Sequence, residues 1–203
     1  STDDPHNWFM SRLGDATDFD FFPPTPDTLQ AFAGNLSKTG LAPGIITGIA
    51  PYSDDLCFFG CENAVYRLDG DPGMATVSSA GGRFSLVTDQ VGMTFGHGWT
   101  KDPFGNFYFF GNRGGVHRIA PGSVPVSMTD GRITRRLRDI DLSVYHVKLE
   151  WLTREHGLLV LQFPYATHAT NPVKAWFWSM ENDAWCELEF TGDTRPNAAS
   201  RPP

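Results

Sequence analysis

A continuous apolar run, a glycine-containing stretch and an apolar-polar alternation occur together twice along the chain. The first copy is LCFFGCENAVYRL, residues 56–68, and the second is FYFFGNRGGVHRI, residues 107–119, which begins 51 residues later and aligns without a gap. The apolar run indicates a strand covered on both faces, the glycine indicates a turn, and the alternation indicates a second strand. Each copy is therefore predicted to be a β-hairpin.

The flanking segments extend this repeat. Residues 44–55 and 95–106 each predict a short strand followed by a proline-containing turn. A third, weaker copy covers residues 144–163, and VKAWFWSMENDAWCELEF, residues 173–190, predicts two further strands after a polar loop. Units of about fifty residues with about four strands each are typical of β-propeller blades. The predicted fold class is all-β, a β-propeller-like array of such units.

The repeat also sets the predicted domain boundaries. Residues 1–190 are predicted to form a single propeller-like domain, in which residues 1–43 are the end of an earlier unit and a connector. The repeat units are predicted at about 44–94, 95–143 and 144–190. The remaining residues, 191–203, are predicted to be a flexible tail. Because propellers usually close with four to eight blades, we expect the ring to be incomplete within this chain.

One stretch has helical periodicity instead. In DGRITRRLRDI, residues 130–140, the apolar Ile133, Leu137 and Ile140 recur at helical spacing. Asp130 stands at the start of this stretch and is a candidate N-cap. The sequence therefore predicts one helix near the end of the second repeat unit.

The same stretch carries the strongest cluster of positive charge in the chain. Its members are Arg132, Arg135, Arg136 and Arg138. They would bind a phosphate backbone or the acidic surface of a partner, or else form a solvated helix face balanced by Asp139 and Asp141. Two further arginines, Arg67 and Arg118, occupy the same repeat position and predict a structural contact repeated in each unit.

Composition and charge narrow the function classes. Apolar residues make up 40% of the chain and aromatic residues 13%, more than a disordered chain carries. The formal net charge of −7 argues against a general binder of nucleic acids or anionic membranes. No apolar run approaches the roughly twenty residues of a membrane helix, and no signal peptide is recognisable. Three cysteines without framework spacing favour a reducing compartment.

Candidate metal ligands are present but poorly spaced. Cys57 and Cys61, with His97 and His117 on equivalent parts of the next unit, contain the atoms that zinc binds. However, a C-x₃-C spacing that runs from a strand into a turn does not produce a reliable ligand pair. Asp69 and Asp71 in LDGDPG lack the further oxygen ligands of a calcium loop. No metal or cofactor site is predicted, and we expect buried thiols and an ordinary turn.

The chain also contains candidate catalytic and sugar-binding residues. The carboxylates Asp54, Asp55, Asp102 and Glu150 would suit glycoside hydrolysis, but all lie in or beside predicted turns, where polar residues are common. No nucleophile elbow, phosphate loop or dinucleotide motif is present. Exposed tryptophans would stack on sugar rings, whereas packing between blades would bury them. The tryptophans concerned are Trp99, Trp151, Trp176 and Trp178.

Four segments carry a more specific resemblance. They are SRLGDATDFDFF (11–22), IITGIAPYSDDLCFFGCENAVYRLDGDPG (45–73), WTKDPFGNFYFFGNRGGVHRIAPG (99–122) and WFWSMENDAWCEL (176–188). Their pattern resembles virion structural proteins of tailed bacteriophages, namely the propeller-bearing tail nozzle, tail tubular and connector proteins of short-tailed phages. Those proteins are several times longer than this chain and carry additional domains.

The resemblance implies a function without catalysis. The chain would be a structural component of a phage tail, assembled in the host bacterial cytoplasm as a homo-oligomeric ring with other tail or connector proteins. DNA would pass nearby without sequence-specific binding, because an acidic lumen repels it. The alternative that the residues leave open is a carbohydrate-binding or glycoside-cleaving propeller.

Overall fold

The computed structural model describes residues 4–25, 29–36, 44–70, 82–165 and 172–188. These residues form antiparallel β-sheets with one short helix, so the predicted all-β class is confirmed. The chain divides into two compact units, Ser1–Gly92 and Met93–Pro203. No helix within the described ranges has the length and apolar character needed to cross a membrane. The predicted flexible tail, 191–203, lies outside the described residues.

The first unit contains a two-stranded and a four-stranded sheet. Its strands are β1 (Asn7–Met10), β2 (Phe32–Asn35), β3 (Ile46–Ser53), β4 (Leu56–Cys61), β5 (Val65–Asp69) and β6 (Arg83–Thr88). The sheet orders are β1-β2 and β3-β4-β5-β6, and every neighbouring pair is antiparallel. The larger sheet is thus a simple meander, in which each strand pairs with the next one in sequence.

Trp8 on β1 is the centre of the core of this unit. Its ring lies 5.5 Å from that of Phe32, 5.3 Å from that of Phe59 and 5.9 Å from that of Phe84. A Cβ atom at Gly34, opposite Trp8 on β2, would lie 2.3 Å from the indole. Glycine is therefore required at that position, because any side chain would displace the tryptophan.

The second unit contains two four-stranded meanders and the helix. Its elements are β7 (Trp99–Lys101), β8 (Phe107–Phe110), β9 (Val116–Ile119), β10 (Val126–Ser127), α1 (Thr134–Arg138), β11 (Tyr145–Leu152), β12 (Gly157–Pro164), β13 (Lys174–Ser179) and β14 (Ala184–Leu188). The sheet orders are β7-β8-β9-β10 and β11-β12-β13-β14. Each of the three predicted repeat units therefore contains one four-stranded antiparallel sheet.

The two sheets of the second unit share a hydrophobic core. The first sheet contributes Tyr108, Phe110 and Val116, and the second sheet and the helical connection contribute the other buried members. Those members are Leu137, Ile140, Val147, Leu149, Leu158, Val160, Trp176 and Trp178. The second strand of each meander is largely buried on both faces, as the continuous apolar runs predicted.

The two copies of the repeated hairpin differ in register by one residue. In the first copy Phe59 pairs with Tyr66, whereas in the second copy Phe110, which aligns with Phe59, pairs with Val116. The cause is the loop: Cys61 N–H donates to the Ala64 carbonyl around two residues, and Gly111 N–H donates to the Gly115 carbonyl around three. A one-residue shift places every following side chain on the opposite face of the sheet.

This shift overturns the predicted common contact of Arg67 and Arg118. Arg67 Nε donates to Asp69 Oδ2 at 2.8 Å. Arg118 instead lies opposite Tyr108, on the core-facing side of its sheet. The two arginines align in sequence but lie in different surroundings. The longer loop shifts the register of β9 by one residue, so its side chains lie on the opposite face of the sheet from those of β5.

The predicted helix is shorter than its periodicity indicated. It covers Thr134–Arg138, and Ile133, not Asp130, occupies the N-cap position without a side-chain capping bond. The prediction of Asp130 as N-cap was therefore wrong. Gly131 has a φ of +76°, a left-handed conformation that interrupts a right-handed helix and delays its start.

Candidate functional site

The helix α1 presents its arginines outward because its apolar side chains are anchored in the core. Leu137 is fully buried, and Ile140, just after the helix, is nearly so. Arg132 precedes the helix, and Arg135, Arg136 and Arg138 lie within it, all four substantially exposed to solvent. The periodicity that predicted a helix thus also positions the basic cluster on the surface of the second unit.

Two of the arginines are paired with carboxylates at β14. Arg132 donates from Nη1 to Asp183 Oδ1 at 2.5 Å and to the Asp183 carbonyl at 2.9 Å, while Nη2 donates to Oδ2. Arg136 donates from Nη1 to Glu187 Oε2. We call these two ion pairs the α1–β14 clasp. The cluster does form an exposed face, as the second interpretation expected, but the counter-charges of Arg132 and Arg136 are Asp183 and Glu187, not Asp139 and Asp141.

These partners were not identified from the sequence. Asp183 lies 51 residues after Arg132, and Glu187 lies 51 residues after Arg136. The repeat aligns equivalent positions of successive units and does not indicate which charges are in contact.

Asp183 is the most strongly held carboxylate of the clasp. It also accepts a hydrogen bond from Trp178 Nε1 at 3.1 Å. The bonds from Arg132 first, and then that from Trp178, lower the pKa of Asp183 to about 2. Trp185, two residues further, donates its Nε1 to the Met128 carbonyl at 3.2 Å and joins the segment before α1 to β14.

The two remaining arginines of the cluster are less constrained. Arg138 Nη2 approaches Asp130 Oδ1 only to 3.8 Å, and Arg135 has no ion-pair partner among the described residues. A guanidinium with a long or absent carboxylate contact remains available to another anion. Arg135 and Arg138 are therefore the members that suit a partner contact, whereas Arg132 and Arg136 hold β14.

Two clefts flank the clasp, one beside each ion pair. The first has a volume of about 400 Å³ and contains Arg118, Arg132, Trp178 and Asp183 in its wall. The second has a volume of about 540 Å³. Its wall includes Arg136, Gln162, Lys174, Trp176 and Glu187. The clasp thus stands between two openings on the surface of the second unit.

The carboxylates considered for catalysis have structural positions in the described residues. Asp102 is buried and accepts hydrogen bonds from the Phe104 and Asn106 N–H groups, as expected for a turn. Asp54 and Asp55 are exposed in the turn between β3 and β4. Glu150 is exposed and lies 3.3 Å from Lys148 Nζ. Within the second unit, Asp102 and Glu150 therefore have separate partners.

The cysteine thiols and histidines do not form a described metal site. Cys57 donates to the Ala50 carbonyl at 3.4 Å, and Cys61 lies in the core around Trp8. Burial raises the pKa of Cys57 to about 11 and that of Cys61 to about 12. His117 stacks on Phe109 at 5.2 Å, and burial lowers its pKa. Among the described residues, no group of three or more possible metal ligands occurs.

The tryptophans considered for sugar stacking divide into two classes. Trp176 and Trp178 are buried in the core of the second unit, at 2% and 4% exposure. Trp99 and Trp151 are half-buried, and their rings stack on Phe107 at 6.1 Å and on Tyr108 at 5.6 Å. Two of the four indoles thus offer no exposed face to a sugar ring.

Comparison with known proteins adds no family assignment. No protein-family model matches this sequence. No curated protein matches it significantly. The resemblance to tail proteins of phages therefore rests on the sequence pattern alone.

Proposed function

We propose that this protein is a non-enzymatic structural component of a bacteriophage tail, of the nozzle or connector type, that acts by protein–protein assembly. One observation carries the proposal: three consecutive four-stranded meanders, whose second strands are largely buried on both faces, recur at the predicted repeat. Four-stranded antiparallel sheets are the building unit of β-propellers. An incomplete propeller array needs further sheets from other polypeptide chains or from a longer chain.

Exposed apolar side chains in the first unit support an assembly function. Phe22 is 92% exposed, and Phe9, Leu13 and Phe19 are each at least half exposed. Phe9 lies on β1, and the segment that follows β1 carries the other three. In that segment Asp18 and Asp20 each accept a hydrogen bond from the backbone N–H two residues later. Apolar groups displayed together on a surface are typical of protein–protein interfaces. We propose that other tail subunits cover them.

The charge distribution suits a component beside a DNA channel. The net charge of −7 disfavours lasting contact with DNA. Arg132 and Arg136 already have carboxylate partners, so they are not free to hold phosphates. We propose that the chain assembles in the host cytoplasm into the virion tail, that DNA passes without sequence-specific binding, and that Arg135 and Arg138 contact an acidic neighbouring subunit.

The location in the virion is the direct test. Antibodies raised against the purified chain would be applied to virions of the phage that encodes it and detected by immunogold electron microscopy. We expect gold at the end of the tail, with none for pre-immune serum. Peptides of the chain should also be found in digests of purified virions. Virions without label and without these peptides would contradict the proposal.

The carbohydrate alternative is tested by the same purified protein. Stacking on sugars would rely on Trp99 and Trp151, since Trp176 and Trp178 are buried. A glycan array would show saturable binding that Trp99→Ala or Trp151→Ala removes if the alternative were correct. We expect no such binding.

A further inference from the structure

The two-stranded sheet of the first unit has one face in the core and one face open to solvent. Side chains alternate between the two faces of a strand. On β1, Trp8 is 5% exposed in the core, whereas Phe9 is 54% exposed. Ala33 lies opposite Phe9 on β2, so its exposed side chain is on the same face. The outer face of this sheet therefore has no packing partner in the described part of the chain.

Two further phenylalanines extend this apolar face. The Phe21 ring lies 5.7 Å from that of Phe9 and 6.3 Å from that of Phe19, which is 50% exposed. We call the surface formed by Phe9, Phe19 and Phe21 the Phe9 face. Adjoining aromatic rings that remain exposed are typical of a surface that another molecule covers. The Phe9 face is therefore a candidate docking surface.

The aspartates on either side of Phe19 each use one carboxylate oxygen for the fold. Asp18 Oδ1 accepts a hydrogen bond from the Asp20 N–H at 2.9 Å, and Asp20 Oδ1 accepts one from the Phe22 N–H at 3.0 Å. The Oδ2 atoms of both aspartates have no hydrogen-bond or ion-pair partner within the described ranges. A carboxylate oxygen of this kind can bind a lysine or an arginine of another protein.

The charge of the first unit distinguishes between the possible occupants. Residues 1–92 contain 4 basic and 12 acidic side chains, a net charge of −8, whereas residues 93–203 contain 12 basic and 11 acidic ones. Within residues 9–22, three aspartates stand against the single cation Arg12. Such a charge repels nucleic acids and anionic lipid surfaces. Two copies that met through the same face would also bring like charges together. The Phe9 face thus suits a partner that is both apolar and basic.

We propose that the Phe9 face binds a basic segment of a different protein, in which arginine or lysine flanks apolar side chains. The apolar side chains pack on the rings of Phe9 and Phe21. The flanking cations bond to the Oδ2 atoms of Asp18 and Asp20 and contact the ring of Phe19. This inference rests on the proposed assembly function and specifies the chemistry of one partner.

The backbone N–H groups of Asp20 and Phe22 report on this binding, because they donate to the two aspartates. In ¹⁵N-labelled protein their signals should shift in a saturable manner on titration with acetyl-Arg-Leu-Leu-Arg amide. Acetyl-Arg-Ser-Ser-Arg amide keeps only the cations, and acetyl-Glu-Leu-Leu-Glu amide keeps only the apolar side chains. Each of these two peptides should bind at least about 5-fold more weakly. Added salt should weaken binding of the first peptide.

Two variants test the apolar and the charged contacts separately. Phe9→Ser should weaken binding of the first peptide about 3- to 10-fold, and Phe104→Ser, at a 59% exposed phenylalanine of the second unit, is its matched control. Asp20→Asn removes the charge but keeps an oxygen for the Phe22 N–H, and should weaken binding about 2- to 5-fold. Asp54→Asn, at an exposed turn aspartate of the same unit, is its control. Both controls should leave binding unchanged, and the backbone spectrum verifies that each variant is folded.

Several outcomes would overturn the proposal. One is that the Asp20 and Phe22 signals do not shift up to the solubility limit of the first peptide. Another is equal affinity for all three peptides, or an equal effect of each variant and its control. Self-association of the chain that Phe9→Ser abolishes would assign the Phe9 face to a second copy instead.

Failure of this contact is distinguishable from failure of the tail role. Gold label at the end of the tail without peptide binding would remove this contact and leave the proposed function in place. Peptide binding by a chain that is absent from virions would support the Phe9 face as a docking surface and remove the tail role.

Discussion

Asp102 is a carboxylate that would suit catalysis, but its oxygens accept hydrogen bonds that stabilise the fold. Besides the two backbone N–H groups of its turn, it accepts from Asn106 Nδ2 at 2.6 Å and from the Tyr108 hydroxyl at 2.9 Å. Burial first, and then the bond to Asp102, raise the pKa of Tyr108. A carboxylate with four donors around it stabilises the turn that leads into β8.

Replacing Asp102 should destabilise the protein markedly. We expect Asp102→Ala to lower the free energy of unfolding by about 2–4 kcal/mol, because the buried Tyr108 hydroxyl and the turn N–H groups lose their acceptor. Urea unfolding followed by circular dichroism measures this. Asp54→Ala, at an exposed turn aspartate, should change it by no more than about 0.5 kcal/mol. Similar losses for both variants would contradict the proposed role of Asp102.

The three cysteines should differ in reactivity because they differ in burial. Cys186 is exposed, whereas burial raises the pKa of Cys57 to about 11 and that of Cys61 to about 12. Since the thiolate is the reactive form, we expect one thiol to react rapidly with Ellman's reagent at about pH 8 and two more only after unfolding. Cys186→Ser should remove the rapid phase. Rapid reaction of a second thiol would contradict the expected protection of Cys57 and Cys61.

At the scale of elements, the α1–β14 clasp should respond to acid. The pKa of Asp183 in the folded protein, about 2, lies below its ordinary value of 3.8. The unfolded chain therefore binds the proton more readily, so the stabilisation is present above about pH 4 and is lost as the pH falls through about 2. The difference in melting temperature between the wild type and Asp183→Asn should shrink over this interval. Arg132→Gln should show the same convergence, and a constant difference would contradict the assignment.

The hairpin loop before β9 is tied to α1 by a close approach. A Cβ atom at Gly114, whose φ is +80°, would lie 2.7 Å from Arg138 Cα. Gly122 has a similar φ of +70° but open space around it. Gly122→Ala should therefore cost about 1–2 kcal/mol for the backbone alone, and Gly114→Ala at least about 1 kcal/mol more because the helix must move. Equal costs in thermal unfolding would show that α1 does not pack on this loop.

The same elements show what the sequence could predict. The hairpins and the second strands were predictable because their apolar runs have a strong local signal, and Leu137 and Ile140 predicted the helix. The register of β9 could not be predicted. It depends on the conformation of the three loop residues between Gly111 and Gly115, and the alignment with the first copy does not reveal that conformation. The clasp required pairing two distant charged segments, which apolar periodicity does not address.

At the scale of the whole molecule, the meanders suggest that the chain functions in an assembly with other polypeptide chains. The described residues form three four-stranded sheets, which is fewer than the four to eight blades of a closed propeller. Exposed phenylalanines in the first unit and the exposed Arg135 and Arg138 on α1 add surfaces that partners would cover. We expect such a chain to be found in a complex and not alone.

The stoichiometry of the native particle tests this central claim most directly. Native mass spectrometry of the tagged chain, isolated from cells that produce the virion, gives the mass of every species that contains it. The account predicts a ring of several copies, or this chain bound to other tail proteins. A lone monomer of 22.5 kDa at all concentrations would contradict it.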